Sequence, residues 1–224
     1  DLVARAAGMR ELLRRSQDAC EEARRIPDEV DAAFEDAGLY RIMQPRVFGG
    51  FELGLPEFLR VMVEVARGCP ACGWVLALTS GHAHTLAYFS RDVQAAVYGA
   101  DGRARVPFVA TPLRGRATPR ADGSYVIDGK WDYGSGIDIA THFMCTAIAA
   151  DPATGAVPVG TVPPVVLALL DRDQFEIEDN WQPTGLRGTG SNRVIVRGAI
   201  VPPERCALDV GGRAPGGHDS PLFA

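Results

Sequence analysis

Lysine is almost missing from this sequence of 224 residues: Lys130 stands alone beside 22 arginines. Acidic residues outnumber basic ones, for a net charge of −5, so the chain lacks the basic surface that nucleic-acid binding requires. The arginines are scattered, many of them beside Glu or Asp on helical stretches. They read as the bias of a GC-rich genome rather than as a phosphate-binding face. No apolar run approaches the roughly 20 residues that a membrane-spanning helix needs, and the charged, amphipathic N-terminus is unlike a secretory signal. A cytoplasmic location, with no membrane partner, is the expectation. A second C-x-x-C is also lacking. Cys69-Pro70-Ala71-Cys72 is joined by neither another such pair nor paired histidines, which a zinc site would need. No strand precedes it, as a thioredoxin-like unit would require. The pair opens an apolar helix, where cysteine serves as a small hydrophobe, so no metal is expected. Walker A and Rossmann fingerprints are absent too: Gly185-Leu186-Arg187-Gly188-Thr189-Gly190 precedes a strand, not a helix. NAD(P)H binding is therefore not expected.

The sequence does contain two contrasting halves. Residues 2–25 carry Leu2, Ala6, Met9, Leu13, Cys20 and Ala23 at three-and-four spacing, which predicts one amphipathic helix. Pro27 breaks it, and Asp28 is placed to cap a second helix that Gly38 stops. A connector reaches Phe48-Gly49-Gly50. Pro56 opens a third helix to about Arg67, and an apolar fourth is predicted from about Ala71 to Tyr88 as a buried central element. A short helix over Arg91 to Tyr98 closes the half. From about residue 104 the pattern changes to short β-type runs separated by turn residues. They are predicted over Val106–Ala110, Arg116–Arg120, Ser124–Asp128, Lys130–Gly134, His142–Ala149, Val165–Asp171, Phe175–Glu178 and Asn192–Ile200. Asp122-Gly123 and Asp128-Gly129 read as hairpin turns, and 151–164 as an exposed loop. The fold class expected is a helical N-terminal domain (1–103) followed by a small antiparallel β-barrel or sandwich (104–210). A tail over 211–224 leads out of it.

Two segments carry candidate chemistry. Trp131-Asp132-Tyr133-Gly134-Ser135-Gly136-Ile137-Asp138 places aromatics, a hydroxyl and glycines where a strand should end, which suits close approach to a flat aromatic ligand. About fifty residues on, Gly185 to Ser191 leads into the last long strand, followed by Val201-Pro202-Pro203-Glu204-Arg205. Read on residues alone, Ser135 is a turn hydroxyl satisfying local backbone. Arg187, Thr189 and Ser191 either grip a phosphate or shape a conformational loop. His82, on the buried helix, is either a base of near-neutral pKa or a hydrogen-bonded core histidine. His84 projects elsewhere from that helix, and His142 and His218 have no assigned role. Trp74 and Trp181 read as packing residues.

Together with Ile26-Pro27 to Phe48-Gly49-Gly50, Cys72-Gly73-Trp74 and Gly81-His82, these segments resemble the acyl-CoA dehydrogenase superfamily. The closest look is to its branch of two-component flavin-dependent monooxygenases. The dehydrogenase signature Thr-Glu-x-x-Ala/Gly-Ser-Asp is replaced by Ala110-Thr111-Pro112-Leu113-Arg114-Gly115-Arg116, which lacks both the acid and the Ser-Asp. The Trp-Ile-Thr/Ser of the dehydrogenase flavin strand gives way to Asp132-Tyr133-Gly134-Ser135. The resemblance implies an oxygenase component using reduced FMN or FAD and oxygen, through a C4a-hydroperoxyflavin, to hydroxylate a small phenolic or polyketide-type substrate. N-oxygenation of an amino sugar is a variant. It implies a separate NAD(P)H-flavin reductase, a homotetramer, and a C-terminal four-helix bundle with no counterpart in this sequence. Ser135 and His82 become the catalytic residues on this reading. Thr111, Tyr133, Gly134, Ser135, Gly136, Arg187 and Ser191 become the flavin contacts. An acyl-CoA dehydrogenase and a non-catalytic binding fragment are the alternatives.

Overall fold

The computed structural model describes residues 1–151, 154, 156, 163–208 and 221–223. The expected loop at 151–164 and tail at 211–224, with His218, lie largely outside the described residues. The first helix is three: α1 (Leu2–Gly8), α2 (Arg10–Arg15) and α3 (Gln17–Ala23), interrupted by single residues at Met9 and Ser16. At Met9 the amide bonds the Ala6 carbonyl three residues back, a tighter turn than the α-helix uses. Arg24, at φ +56°, ends α3. Pro27, not Asp28, is the N-cap of α4 (Asp28–Asp36), whose acidic first turn suits the helix dipole.

α5 (Leu55–Ala66) and α8 (Arg91–Tyr98) fall where periodicity puts them. The predicted central helix instead divides at His82 into α6 (Pro70–Gly81) and α7 (Ala83–Leu86). Near that break the Thr79 and Ser80 hydroxyls donate back to the Val75 and Leu76 carbonyls. Back-bonding of this kind satisfies a buried hydroxyl while weakening the helix.

After α8 come the strands β1 (Phe108–Val109), β2 (Gly115–Pro119), β3 (Tyr125–Gly134), β4 (His142–Ala149), β5 (Val165–Asp171), β6 (Glu176–Glu178), β7 (Asn192–Val201) and β8 (Cys206–Leu208). They form one eight-stranded sheet in the order β6-β7-β3-β2-β4-β5-β8, with β1 beside β4. Most pairings are antiparallel, as expected, but β1–β4 and β2–β4 are parallel. Asp122-Gly123 makes the β2–β3 hairpin turn, with Gly123 at φ +84°. Asp128-Gly129 does not turn. It lies inside β3 at a register irregularity against β7, where the Asp128 carboxylate accepts from the Gly198 amide at 2.8 Å. The two strands expected on either side are one.

Strands β4 and β5 are buried on both faces, in the manner of covered strands. Phe143, Cys145 and Ala147 join Trp131, Ile127 and Val194 in one cluster, while Met144, Leu167 and Leu169 pack on Leu86, Phe89, Val97 and Tyr98 of the helical half. A buried charge cluster ties the halves further. Arg105 donates to both carboxylate oxygens of Asp31 at 2.9 and 3.2 Å, lies 3.3 Å from Glu35 and stacks 4.2 Å above the Tyr40 ring.

Candidate functional site

The site forms where β3 ends. The β3–β7 register slips between Trp131 and Gly134, and Tyr133 takes a φ of +66°, which turns its ring outward to 71% exposure. A positive φ at a tyrosine is uncommon and costs backbone energy, so it marks a constrained place in the chain. Gly136, also at positive φ, donates its amide to the Thr189 carbonyl at 2.9 Å. A Cβ there would lie 2.9 Å from the Val75 side chain. Glycine thus lets α6 press against the strand end and carries Trp74 to Ser135.

Ser135 is buried, yet its hydroxyl is the centre of a polar chain. Trp74 Nε1 donates to Ser135 Oγ at 3.1 Å, Ser135 Oγ meets Ser191 Oγ at 2.7 Å, and Ser191 Oγ meets Thr189 Oγ1 at 2.7 Å. Thr189 donates to the Leu186 carbonyl at 2.9 Å. Each hydroxyl has one proton and two acceptor sites. With Thr189 committed to Leu186, both 2.7 Å contacts are hydrogen bonds only if Ser191 donates to Thr189 and Ser135 donates to Ser191. Ser135 then has one lone pair on Trp74 and one acceptor site left. The chain ends on an oxygen poised to accept.

Beside this relay, Tyr133, Trp181 and Ser191 line a cleft of about 390 Å³, with Asp132 and Arg193 at its wall. The Trp181 ring stands edge-on to Tyr133, with centroids 6.0 Å apart. Its backbone is held from two sides: Asn192 Oδ1 accepts the Asn180 and Trp181 amides, and Arg24 grips Asp179 and the Trp181 carbonyl. Arg193 is neutralised by Asp132 at 2.7 Å and Glu178 at 3.0 Å.

Tyr133, Gly134, Ser135, Gly136 and Ser191 are therefore brought together. The phosphate-gripping reading of the 187–191 loop meets a competitor: Glu21 of α3 accepts the Arg187 amide at 3.1 Å and the Gly188 amide at 3.2 Å. A Cβ on Gly188 would lie 2.2 Å from Cys20 Sγ, and one on Gly190 2.2 Å from Asp138 Oδ2. Those glycines serve packing within the chain. Burial, above all, raises the Asp138 carboxyl from its ordinary range. Thr111 sits at an exposed turn between β1 and β2, and no hydrogen bond links it to the Ser135 chain.

His82 does not join the group. Eight residues beyond Trp74 on the helix path, it is displaced by about 12 Å along the axis. Its ring packs edge-on to Phe108 and bonds the Val106 carbonyl at 3.2 Å. Desolvation pushes its pKa down to about 4 despite that bond, which sets the ring against use as a base near neutrality. Sequence reasoning missed Trp74 and Trp181, reading both as packing. The signal for Trp74 was a large indole on a helix whose other positions are small or aliphatic. Glu21 gave no signal, because its partners are backbone amides far along the chain.

The donor set fits a flat, hydrogen-bonding heterocycle: exposed aromatic rings, a cleft, and a buried hydroxyl with a spare acceptor site. Comparison with known proteins is consistent with that chemistry. Residues 3–100 match the acyl-CoA dehydrogenase, N-terminal domain family. An FADH(2)-dependent resorcinol hydroxylase, oxygenase component, of a Rhizobium sp. is 34% identical over 97% of this chain and 52% of its own. The crystal structure of a 3-HSA hydroxylase from a Rhodococcus sp. superposes with a TM-score of 0.85 at 30% identity, covering 93% of this chain and 51% of that one. XiaF from a Streptomyces sp., in complex with FADH2 and glycerol, gives a TM-score of 0.85 at 27% identity, over 93% and 50% of the two chains. The chain thus spans about half the length of the relatives it matches. Over residues 3–100 the chain matches the acyl-CoA dehydrogenase N-terminal domain family, and along most of its length it is similar to the oxygenase components of flavin-dependent hydroxylases.

Proposed function

We propose that this chain forms the helical domain (1–103) and β domain (104–210) of the oxygenase component of a two-component monooxygenase. It takes reduced flavin, FAD or FMN, from a separate reductase and hydroxylates a small phenolic substrate. The reading is carried by the spare acceptor site on Ser135 Oγ, fixed by the Trp74 and Ser191 bonds. A bound reduced flavin would supply the electrons that activate molecular oxygen, from which the transferred atom comes. The chain's own part is to hold an N–H of the ring on Ser135 Oγ, so that this proton stays in place. Tyr133 and Trp181 offer aromatic faces that cover the ring and keep water away. Gly134 leaves no room for a Cβ beside Val194, which keeps the strand end tight under Tyr133. His82, with Nδ1 committed to Val106 and its ring packed on Phe108, takes no part in proton removal.

Ser135→Ala tests the reading. Losing a hydrogen bond at a buried polar group costs about 1–3 kcal/mol, roughly a tenfold to hundredfold change in a rate. With reduced flavin, oxygen and a phenol, the variant should release more hydrogen peroxide and less product while flavin affinity changes little. Unchanged coupling in the folded variant would remove Ser135 from the chemistry. Efficient oxidation of an acyl-CoA by the wild type would favour the dehydrogenase instead.

A further inference from the structure

Three sulfurs converge in the helical half, behind the loop that carries Thr189 and Ser191. Cys20 lies in the middle of α3, Cys69 is the N-cap of α6, and Cys72 is in that helix's first turn. All three are buried free thiols, and their Sγ atoms lie within 4.8 Å of one another. The Cys20 and Cys72 sulfurs are 3.8 Å apart. Metal–thiolate bonds of about 2.3 Å place neighbouring sulfurs roughly 3.8–4.0 Å apart in tetrahedral or trigonal sets. Apolar packing accounts for a single buried cysteine. It does not account for three that come from two separate helices and meet at this spacing.

We propose that Cys20, Cys69 and Cys72 bind one soft, thiophilic cation, Cu(I) or Zn(II), that fastens α3 to the N-terminus of α6. Thiolate sulfur selects such ions over hard ones. The cysteines bind as thiolates, so uptake of the ion releases their thiol protons to solvent. Among the described residues no fourth thiol, imidazole or carboxylate belongs to the cluster, which suits three-coordinate Cu(I). Zn(II) would complete its set with water or with the Gly188 carbonyl, 3.7 Å from Cys20 Sγ. Because Gly188 rests directly on Cys20, the ion would also steady the loop leading to Ser191.

The test uses the full chain, reduced and stripped of metal under anaerobic conditions. It is titrated with Cu(I), and separately with Zn(II), each presented by a chromophoric competing chelator. Stoichiometric uptake of either ion, with a rise in Tm, is expected, and the arm that competes better identifies the ion. Cys20→Ser and Cys72→Ser should each weaken uptake by at least about tenfold, while Cys145→Ser, in β4, should not. Failure of the wild type to take up either ion overturns the proposal whether or not the variants fold. Uptake that survives both Cys20→Ser and Cys72→Ser in folded protein overturns it equally.

Discussion

The Nδ1–H of His82 donates to the Val106 carbonyl, and the ring is enclosed between the end of α6 and Phe108. Desolvation lowers its folded-state pKa from 6.5 to about 4. Above pH 6.5 both folded and unfolded histidine are neutral, and the group leaves stability alone. As pH falls from 6.5 towards 4, the unfolded chain takes up the proton first, so stability declines across that window and the loss is complete below it. Between pH 7 and pH 5 the expected loss is about 2 kcal/mol. Urea unfolding of the wild type and His82→Gln at both values isolates the term, since the amide can still donate to Val106 but does not titrate. Equal losses in the two proteins would mean that folding does not shift the His82 pKa, and would reopen its use as a base. At this same scale, Ser135 was legible only through family likeness: its sequence context is that of any turn serine. What distinguishes it is Trp74, which reaches it from another element.

At the scale of elements, Trp131 explains why a dipeptide that signals a hairpin lies within a strand. The indole is fully buried, donates to the Thr146 carbonyl at 3.0 Å, and lies flush against two backbones that carry no side chain. A Cβ on Gly115 would lie 2.1 Å from its ring, and one on Gly129 2.5 Å. Gly129 is therefore glycine for close packing, whereas Gly123 is glycine for its φ of +84° in an open turn. Gly129→Ala should cost about 1–3 kcal/mol through overpacking around Trp131. Trp131→Phe, which vacates ring volume, should recover part of that loss when combined with it. A double-mutant cycle in urea measures the coupling; additive costs would mean that the indole is not what fills the space. The same contrast marks the limit of reading elements from sequence. α5, α8, β4 and β5 were legible because their apolar spacing decides them locally. The breaks at Met9, Ser16 and His82, the continuity of β3 and the cap of Glu21 on the 187–188 amides depend on what packs alongside. Cys20 joining the C-x-x-C belongs with these, since nothing local to Cys20 points to α6.

For the whole molecule, the packing of helices on the sheet depends on Arg105 as well as on the apolar contacts. Its guanidinium is largely buried, shared between Asp31 and Glu35 and laid over Tyr40, whose hydroxyl donates to the same Asp31 at 2.6 Å. Its backbone meanwhile holds the start of β4, with its carbonyl accepting from Thr141 and its amide donating to the Thr141 hydroxyl. One residue thus binds α4 through its side chain and the sheet through its main chain. Arg105→Ala leaves Asp31 without its cation and Glu35 with only its longer contacts to Arg41 at 3.8 Å and Arg103 at 3.7 Å, an imbalance that costs up to about 3–5 kcal/mol when a buried pair is broken. The exposed Arg15–Glu29 pair offers the control: Arg15→Ala should leave stability nearly unchanged, because surface ion pairs are screened by water. Replacing Arg105 together with Asp31 and Glu35 by apolar residues should recover most of the loss, as the desolvation of the charges disappears with them. If Arg105→Ala and Arg15→Ala prove equally mild in urea, the halves are held instead by the α7–α8 apolar cluster and by the contacts of α3 and α6 with the 186–191 loop. Tyr98 and Leu86 would then be the positions where truncation separates them.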